Sequence, residues 1–337
     1  MIATTVHDPR HDPVPAGWAD FVACQHLYAP WDFELLGMEA WLSRNPPLLV
    51  VARSGKEIVG AMTALVCAPG QTRRYAPARP AGRFVPRVAQ VYQPWLGGEG
   101  FVVPSRDRSV VRALERALRT RLGPGLVGMI YRNVPASLSP LVSGTGRVVR
   151  PVTPAASVLE NRWGSAEEWL ASLSRNRRKN VRRVDRLVAE DPSLVVRFGP
   201  GRSDVDAVAL AGMLRTHRAR FGRQRFDPRS PVGGAYLAAF LRRPDVHTLT
   251  YADADGHVHA FSTYLDHPVS PVLQFWATIG DRSHLYFDCH ARAIRHVIAT
   301  GRRELFAGRG MFTQKESLGF GARPMCVVGV PGPAVGQ

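Results

Sequence analysis

The order of predicted secondary structure repeats along this chain, and the repeat constrains the fold more than any other feature of the sequence. Each half reads as helix, β-hairpin, strand, helix and strand. Sequence identity between the halves is negligible, so the repeat is one of architecture. The 337 residues, 45% of them hydrophobic, suffice for two domains with their own cores. We therefore expect an α/β fold of two tandem domains, each a mixed, mostly antiparallel sheet flanked by helices.

The same pattern sets the expected domain boundaries. Residues 1–17 mix charged residues, histidines and prolines without the layout of a signal peptide, which predicts a short disordered lead-in. The N-terminal domain is expected over residues 18–155, and the C-terminal domain over residues 156–330, with a basic helix at 165–190. No run of 18 apolar residues occurs, so we expect a cytoplasmic protein without a membrane partner.

Charge narrows the choice of partners. The net charge is +17, and a field of that sign attracts polyanions. Lys56, Lys179 and Lys315 are the lysines, and all other basic residues are arginine. A GC-rich genome can replace lysine by arginine, but it does not explain the surplus of bases over 27 acids.

The charge concentrates on the predicted basic helix. A capping box at 165–168 begins it, and valines and leucines form one face. The opposite face carries Arg175, Arg178, Lys179, Arg182, Arg183 and Arg186. Arginine contacts phosphate bidentately, so this face is a candidate RNA or phosphate site, and the alternative is a solvated charged face.

Metal and disulfide chemistry find little support. The four cysteines are scattered and form no C-x-x-C pair. His257 and His259 lie beside a predicted turn, where solvent exposure explains them better than metal ligation. We expect reduced thiols, no metal site and no bound cofactor.

Two motifs carry a family resemblance. The segment 169–183 resembles the basic helix of Fem-like and cellulose-biosynthesis-associated acetyltransferase domains of the GNAT superfamily. A second match runs from 286–290 through a helix to the glycines at 308–310 and Lys315, upstream of Gly319-Phe320. Together the matches cover roughly residues 155 to 325. The resemblance implies a tandem GNAT-like fold whose C-terminal domain is catalytic.

The family implies two kinds of acyl donor. Ordinary GNAT domains hold acyl-CoA with a glycine-rich loop at a helix N-terminus, whereas Fem-type transferases use aminoacyl-tRNA. The corresponding segments here, 104–109 and 280–285, lack the required glycines. No coiled-coil arm of the cell-wall Fem enzymes is evident. The resemblance therefore favours a smaller enzyme that aminoacylates a metabolite, as in antibiotic biosynthesis.

Candidate site residues follow from this chemistry. At the family position, the Lys315 ammonium can stabilise the oxyanion and the alkoxide of acyl transfer from an ester; the alternative is a solvated helix lysine. His290 is a candidate general base, with capping or packing as the alternative. The candidate substrate-binding residues are Tyr264, Gln274, Trp276 and Arg309. Gln274 and Trp276 alternate on one strand and are expected to share a face, Trp276 is also a candidate core residue, and Arg309 either binds phosphate or completes a loop.

Three functions remain open from the sequence. The first is transfer of an aminoacyl group from aminoacyl-tRNA to the amine or hydroxylamine of a small molecule. The second is acyl-CoA-dependent N-acylation of a metabolite or polysaccharide precursor. The third is nucleic-acid binding without catalysis. It is disfavoured because the sequence has no helix-turn-helix, zinc-finger or RRM signature.

Overall fold

The protein is described by a computed structural model at residues 2–68, 85–220, 229–280 and 282–337. These residues form two compact units. Unit 1 comprises the described residues of 2–153, 229–231 and 324–337, and unit 2 comprises those of 154–220 and 232–323.

Fifteen strands and ten α-helices lie within the described residues. The strands are β1 (Ile2–His7), β2 (Pro47–Ser54), β3 (Glu57–Cys67), β4 (Arg87–Val91), β5 (Phe101–Val102), β6 (Leu126–Pro135), β7 (Val148–Pro151), β8 (Ala156–Glu160), β9 (Val195–Pro200), β10 (Val246–Ala252), β11 (Val258–Leu265), β12 (Val272–Thr278), β13 (Glu304–Phe306), β14 (Gly321–Arg323) and β15 (Met325–Pro331). The α-helices are α1 (Trp18–Cys24), α2 (Phe33–Leu42), α3 (Arg108–Leu122), α4 (Ser139–Val142), α5 (Ala166–Ser172), α6 (Arg175–Ala189), α7 (Ala207–Ala219), α8 (Gly234–Leu241), α9 (Ser283–Ala299) and α10 (Phe312–Glu316).

The sheet of unit 1 has eight strands in the order β1-β2-β3-β4-β6-β15-β7, with β5 paired to β3. Among the described residues, β4 and β6 pair in parallel and the other neighbours are antiparallel. Helix α3 lies between these two strands in the chain. Its residues Val110, Leu114 and Leu118 recur at helical spacing and are buried in the core of unit 1.

The sheet of unit 2 has seven strands in the order β14-β8-β13-β12-β11-β10-β9. Here β12 and β13 form the parallel pair of the described residues, and α9 lies between them in the chain. Both units therefore place a helix between the two strands of a parallel pair in a mostly antiparallel sheet. The fold class expected from the repeat is confirmed.

The first residues of the chain differ from the expected disordered lead-in. They form β1, which pairs with β2 in the register Ile2 to Ser54 and His7 to Leu49. Ile2 and Val6 pack against the core of unit 1, and Ala3 and Thr5 between them are exposed. The β-branched residues after Met1 favour a strand, although the charged residues and prolines that follow them are typical of a loop.

The end of the chain also differs from the expected division at residues 156–330. Strand β15 pairs with β6 and β7 in unit 1, although β14 immediately before it belongs to unit 2. The backbone N–H of Gly336 donates to buried Glu115 at 2.8 Å. Strand pairing and a buried carboxylate therefore hold the C-terminal segment in the N-terminal unit.

The basic helix expected over residues 165–190 is two helices. Ser165 caps α5 by accepting from the Glu168 N–H at 3.1 Å, as the capping box predicts. Leu173 is extended with ψ of 155°, and Ser174 caps α6 by accepting from the Arg177 N–H. A second N-cap serine inside the predicted helix is the physical reason for the break.

No helix within the described residues combines the length and apolar character needed to cross a membrane.

Candidate active site

Lys315 lies in α10 with its side chain turned into unit 2 and 4% exposed. Its ammonium donates to the carbonyl oxygens of Ala307 and, at 3.5 Å, Gly308. No carboxylate pairs with it among the described residues. Burial lowers the pKa of Lys315 to about 8, because removing an ammonium from water disfavours its charged form. The sequence predicted this lysine as a site residue, and the structure makes it a buried cation held by carbonyl oxygens.

His290 lies on α9 and is 3% exposed. Its Nδ1 lies 2.8 Å from the Tyr286 carbonyl oxygen, so a neutral ring can donate there and keep Nε2 as an acceptor. Burial, and then the charge of Lys315, lower the pKa of His290 to about 3. A ring that stays neutral favours the packing alternative, and a general-base role of His290 stays a prediction.

A β-bulge changes the expected arrangement of β12. Its register with β11 shifts between the partners of Phe261 and Thr263, and Phe275 has a φ of +51°. Leu273 and Trp276, three residues apart, pack against one core cluster. The bulge adds one residue to β12 and interrupts the alternation of its side chains. Gln274 and Trp276 are therefore not on the same face, contrary to the expectation.

The candidate substrate-binding residues on β11 and β12 have separate surroundings. Trp276 is half-buried and packs edge-on against Tyr286, with ring centroids 5.6 Å apart. The carbonyl oxygen of Gln274 accepts from Ser262 Oγ at 3.0 Å, and its Oε1 is buried without a hydrogen-bond partner among the described residues. Tyr264, 1% exposed, lies in a core cluster of unit 2. The alternation of side chains along a strand does not show which face of the sheet the helices cover. The sequence therefore did not predict that Tyr264 lies on a covered face.

Arg309 follows Gly308 in the loop before α10 and is half-buried. Gly308 has a φ of +67°, which favours glycine and turns the chain at the carbonyl that accepts from Lys315. The loop therefore positions Lys315, and a phosphate-binding role for Arg309 stays a prediction.

The exposed face of α6 carries most of the charges that the sequence predicted. Five residues of this face are exposed, namely Arg175, Lys179, Arg182, Arg183 and Arg186, and Arg178 is half-buried. Val181, Val184 and Val188 bury the opposite face. The six basic residues form what we call the basic face, and RNA binding there stays a prediction.

A cavity of about 480 Å³ opens at the N-terminal end of α6. Residues of the α5–α6 junction and of α6 form one wall, namely 172–174, Asn176, Arg177 and Asn180. The other wall consists of Glu316, Ser317 and Gly319, which follow Lys315 directly in the chain. Sequence reasoning did not select these lining residues as a site, because a cavity depends on the packing of segments far apart in sequence.

The walls of this cavity carry opposite charges. The Arg177 guanidinium lies over the Phe287 ring, 5.0 Å from its centroid. Glu316 is exposed. Among the described residues, neither side chain has an ion-pair partner. The cavity therefore offers an anion-binding and a cation-binding group to one ligand.

Two aspartates and one histidine lie close together elsewhere in unit 2. The carboxylate oxygens and imidazole nitrogen with which Asp253, Asp255 and His257 could bind a metal ion lie within 4.8 Å of one another, at the turn between β10 and β11. The Asp253 carboxylate accepts from the His257 N–H at 2.8 Å, which explains the arrangement as turn geometry. The absence of a metal site therefore stays an expectation.

The comparisons with known proteins give no sequence family. No protein-family model matches the sequence, and no curated protein matches it.

Solved structures do resemble this chain. One is the C-terminal domain of a putative lysylphosphatidylglycerol synthetase from Agrobacterium fabrum, with 11% identity, a TM-score of 0.59, and coverage of 95% of this chain and 92% of that one. Another is L-PGS from Bacillus licheniformis, with 10% identity, a TM-score of 0.58, and coverage of 94% and 91%. A third is FemX, with 10% identity, a TM-score of 0.56, and coverage of 90% and 91%. At such identities the likeness concerns the fold alone, and it confirms the Fem-like fold that the sequence motifs predicted, since FemX is among these structures.

Proposed function

We propose that this protein is an acyltransferase that moves an aminoacyl group from aminoacyl-tRNA to the amine or hydroxylamine of a small molecule. The observation that carries the proposal is the buried Lys315 ammonium of unit 2, which directly precedes the cavity-lining residue Glu316 in the chain. Preorganised cations in water-poor sites stabilise the oxyanions of acyl transfer more than solvated cations do.

Lys315 has the donors that this role requires. An ammonium carries three N–H groups, and the carbonyl oxygens of Ala307 and Gly308 accept from it. We propose that a remaining N–H faces the reacting ester. The acceptor nitrogen attacks the ester carbon, a C–N bond forms, and the C–O bond to the ribose breaks. The proton lost by the amine ends on the released ribose oxygen, whose developing charge Lys315 stabilises.

His290 supports this arrangement without exchanging the proton. Its low pKa keeps the ring neutral, so it adds no second positive charge beside Lys315. The bound amine then attacks directly, and the protein contributes mainly positioning. We propose that the reaction needs no metal or bound cofactor.

The basic face of α6 supports tRNA as the donor. Arginines along one helix face suit an extended phosphate backbone, and the cavity lies at the N-terminal end of the same helix. One structure of similar fold is named as a putative lysylphosphatidylglycerol synthetase, and a lysylated product is compatible with aminoacyl transfer. A tRNA-dependent enzyme would act in the cytoplasm, where charged tRNA is made.

One observation favours acyl-CoA as the second candidate donor. Arg282 precedes α9 without a side-chain cap, and Gly280 has a φ of +71°. A helix N-terminus beside an arginine attracts a pyrophosphate. The segment nevertheless lacks the further glycines that allow close approach of the backbone, so we rank this donor second.

A reconstituted reaction tests the donor. The enzyme is incubated with labelled amino acids, tRNA, the matching synthetases and a pool of small amines, and labelled amides are separated. Product should depend on tRNA charged with one amino acid, disappear after RNase treatment, and not form from acetyl-CoA. RNase-resistant product driven by an acyl-CoA would replace this proposal with the second candidate.

A further inference from the structure

The cavity of unit 2 combines two charges that no residue of the described chain neutralises. Arg177 lies on one wall and Glu316 on the other. They do not form an ion pair with each other, so their charged groups are more than 4 Å apart. A ligand that carries both a cation and an anion would pair with both walls at once.

The Arg177 side chain, on the α6 wall of the cavity, is held in place by its contacts. The Arg177 guanidinium stacks over Phe287, and cation–π contact restricts its position. The Arg177 backbone N–H donates to the N-cap oxygen of Ser174. A fixed guanidinium at the N-terminal turn of a 15-residue helix favours a phosphate, because the helix dipole adds to its charge.

Apart from Leu173 and Gly319, the remaining lining residues have neutral hydrogen-bonding side chains. Asn176 and Asn180 lie one turn apart on α6, and the Asn180 Oδ1 accepts from Arg183 of the basic face at 3.0 Å. The cavity therefore borders the surface proposed to hold the tRNA backbone. Its volume of about 480 Å³ lies in the range of about 300–1,000 Å³ that is usual for small-ligand sites.

We propose that this cavity binds the aminoacylated end of the donor, with the α-ammonium on Glu316 and the terminal phosphate on Arg177. The inference rests on the proposed function and specifies how the donor is recognised. A carboxylate that requires an ammonium selects aminoacyl groups over plain or N-blocked acyl groups. The site that accepts the charged end of tRNA would thus reject acetyl donors.

Small stable mimics of the donor terminus allow a binding test without turnover. Puromycin 5′-phosphate carries an amide-linked amino acid with a free α-amine and a phosphate. Puromycin lacks the phosphate, and N-acetylpuromycin 5′-phosphate lacks the ammonium. Calorimetric titration of the full chain should show the tightest binding for the first, with about tenfold weaker binding for each of the others.

Two variants assign each contact. Glu316→Gln should weaken the binding of puromycin 5′-phosphate about tenfold and leave the affinity for N-acetylpuromycin 5′-phosphate unchanged. Arg177→Met should weaken the binding of the two phosphorylated probes and leave the affinity for puromycin unchanged. The matched controls are Glu167→Gln and Arg162→Met, which alter exposed charges of unit 2 away from the cavity and should bind as the wild type.

The outcomes separate this inference from the proposed function. Equal affinity for the free and N-acetylated probes, or equal losses for both probes in Glu316→Gln, would overturn the cavity assignment even if tRNA-dependent transfer is observed. Selective probe binding without tRNA-dependent product would support the cavity as an aminonucleotide site and contradict the transfer reaction. Thermal melting of each variant shows that a lost affinity is not lost folding.

Discussion

Helices α3 and α9 occupy the same place in their respective sheets, yet their N-terminal ends differ. Asp107 caps α3, and its carboxylate accepts from the Ser109 N–H at 2.7 Å and from Ser109 Oγ at 2.6 Å. Arg282 precedes α9 and provides no side-chain cap. A carboxylate already occupies the position that would favour an anion at α3. The α3 end is therefore closed to a phosphate ligand, whereas the α9 end is not closed in this way.

Glu115 of unit 1 and Lys315 of unit 2 are both buried charges, and they differ in how they are paired. Glu115 of α3 is fully buried and accepts from Tyr131 Oη at 2.6 Å, Arg147 at 2.7 Å and the Gly336 N–H at 2.8 Å. Buried Lys315 in unit 2 has carbonyl partners and no carboxylate among the described residues. A fully paired charge stabilises structure, whereas an ammonium without a counterion can stabilise a charge that develops on a substrate. The comparison gives Glu115 a structural role in unit 1 and supports the proposal that unit 2 is the catalytic one.

The largest expected effect is loss of the buried network of unit 1. Glu115→Ala leaves Arg147 and Tyr131 buried without their acceptor and should lower the free energy of unfolding by about 3–5 kcal/mol. Urea denaturation measures the loss, and hydrogen exchange of the β15 amides should accelerate. The exposed Glu57→Ala is the control and should stay near the wild type. Unchanged exchange in β15 would show that Glu115 does not anchor the C-terminal strand.

The network also predicts an acid response. Burial raises the pKa of Glu115, but hydrogen bonds from Arg147 and Tyr131 outweigh it, so the pKa lies below its usual value of 4.5. A lowered folded-state pKa contributes stability above pH 4.5, and this contribution is lost as the pH falls through the folded value. Glu115→Ala should therefore show a weaker loss of stability on acidification than the wild type.

The second effect concerns turnover in unit 2. Lys315→Ala should lower turnover at least tenfold, because about 1.4 kcal/mol of transition-state stabilisation suffices for that factor. Lys315→Met keeps the volume of the side chain and should show the same loss with an unchanged melting temperature. Lys56→Ala in unit 1 removes an exposed lysine and should leave the rate intact. Wild-type turnover in folded Lys315→Met would exclude Lys315 from the mechanism and remove the contrast between the units.

The third effect concerns RNA affinity. Reversing Arg178 and Lys179 to Glu should weaken tRNA binding and reduce the slope of log affinity against log salt by about 2, because each lost phosphate contact removes released counterions. Fluorescence anisotropy over a salt series measures the slope. Reversing Lys56 and Arg150 in unit 1 gives the same charge change and should affect binding little. Equal losses for both pairs would mean that net charge, rather than the basic face, attracts RNA.

The smallest effect is a change in pH profile. If the Lys315 ammonium is the active form, the rate should fall as the pH rises through about 8, where the lysine loses its proton. Lys315→Arg retains the charge at higher pH and should lose this alkaline fall, with a rate near pH 7 within several-fold of the wild type. A rate that rises through pH 8 would instead indicate that the neutral amine acts as a base.

Local patterns determined the repeat, the apolar face of α3 and the charged face of α6, because helical and strand periodicities depend on residues that are neighbours in sequence. They also selected Lys315 through its motif. Two errors arose within the same local information, since the strand at residues 2–7 and the second N-cap at Ser174 were present in the sequence. Competing local signals, rather than missing ones, explain both errors.

Tertiary structure decided the rest, because pairing, burial and cavities depend on residues far apart in the chain. The sequence does not show that β15 completes the sheet of unit 1, or that β12 contains a bulge. It showed Lys315 but not the burial that lowers its pKa, nor the carbonyl oxygens that hold it. Arg177 and Glu316 are 139 positions apart, and only the packing of α10 beside the start of α6 places their opposite charges on one cavity.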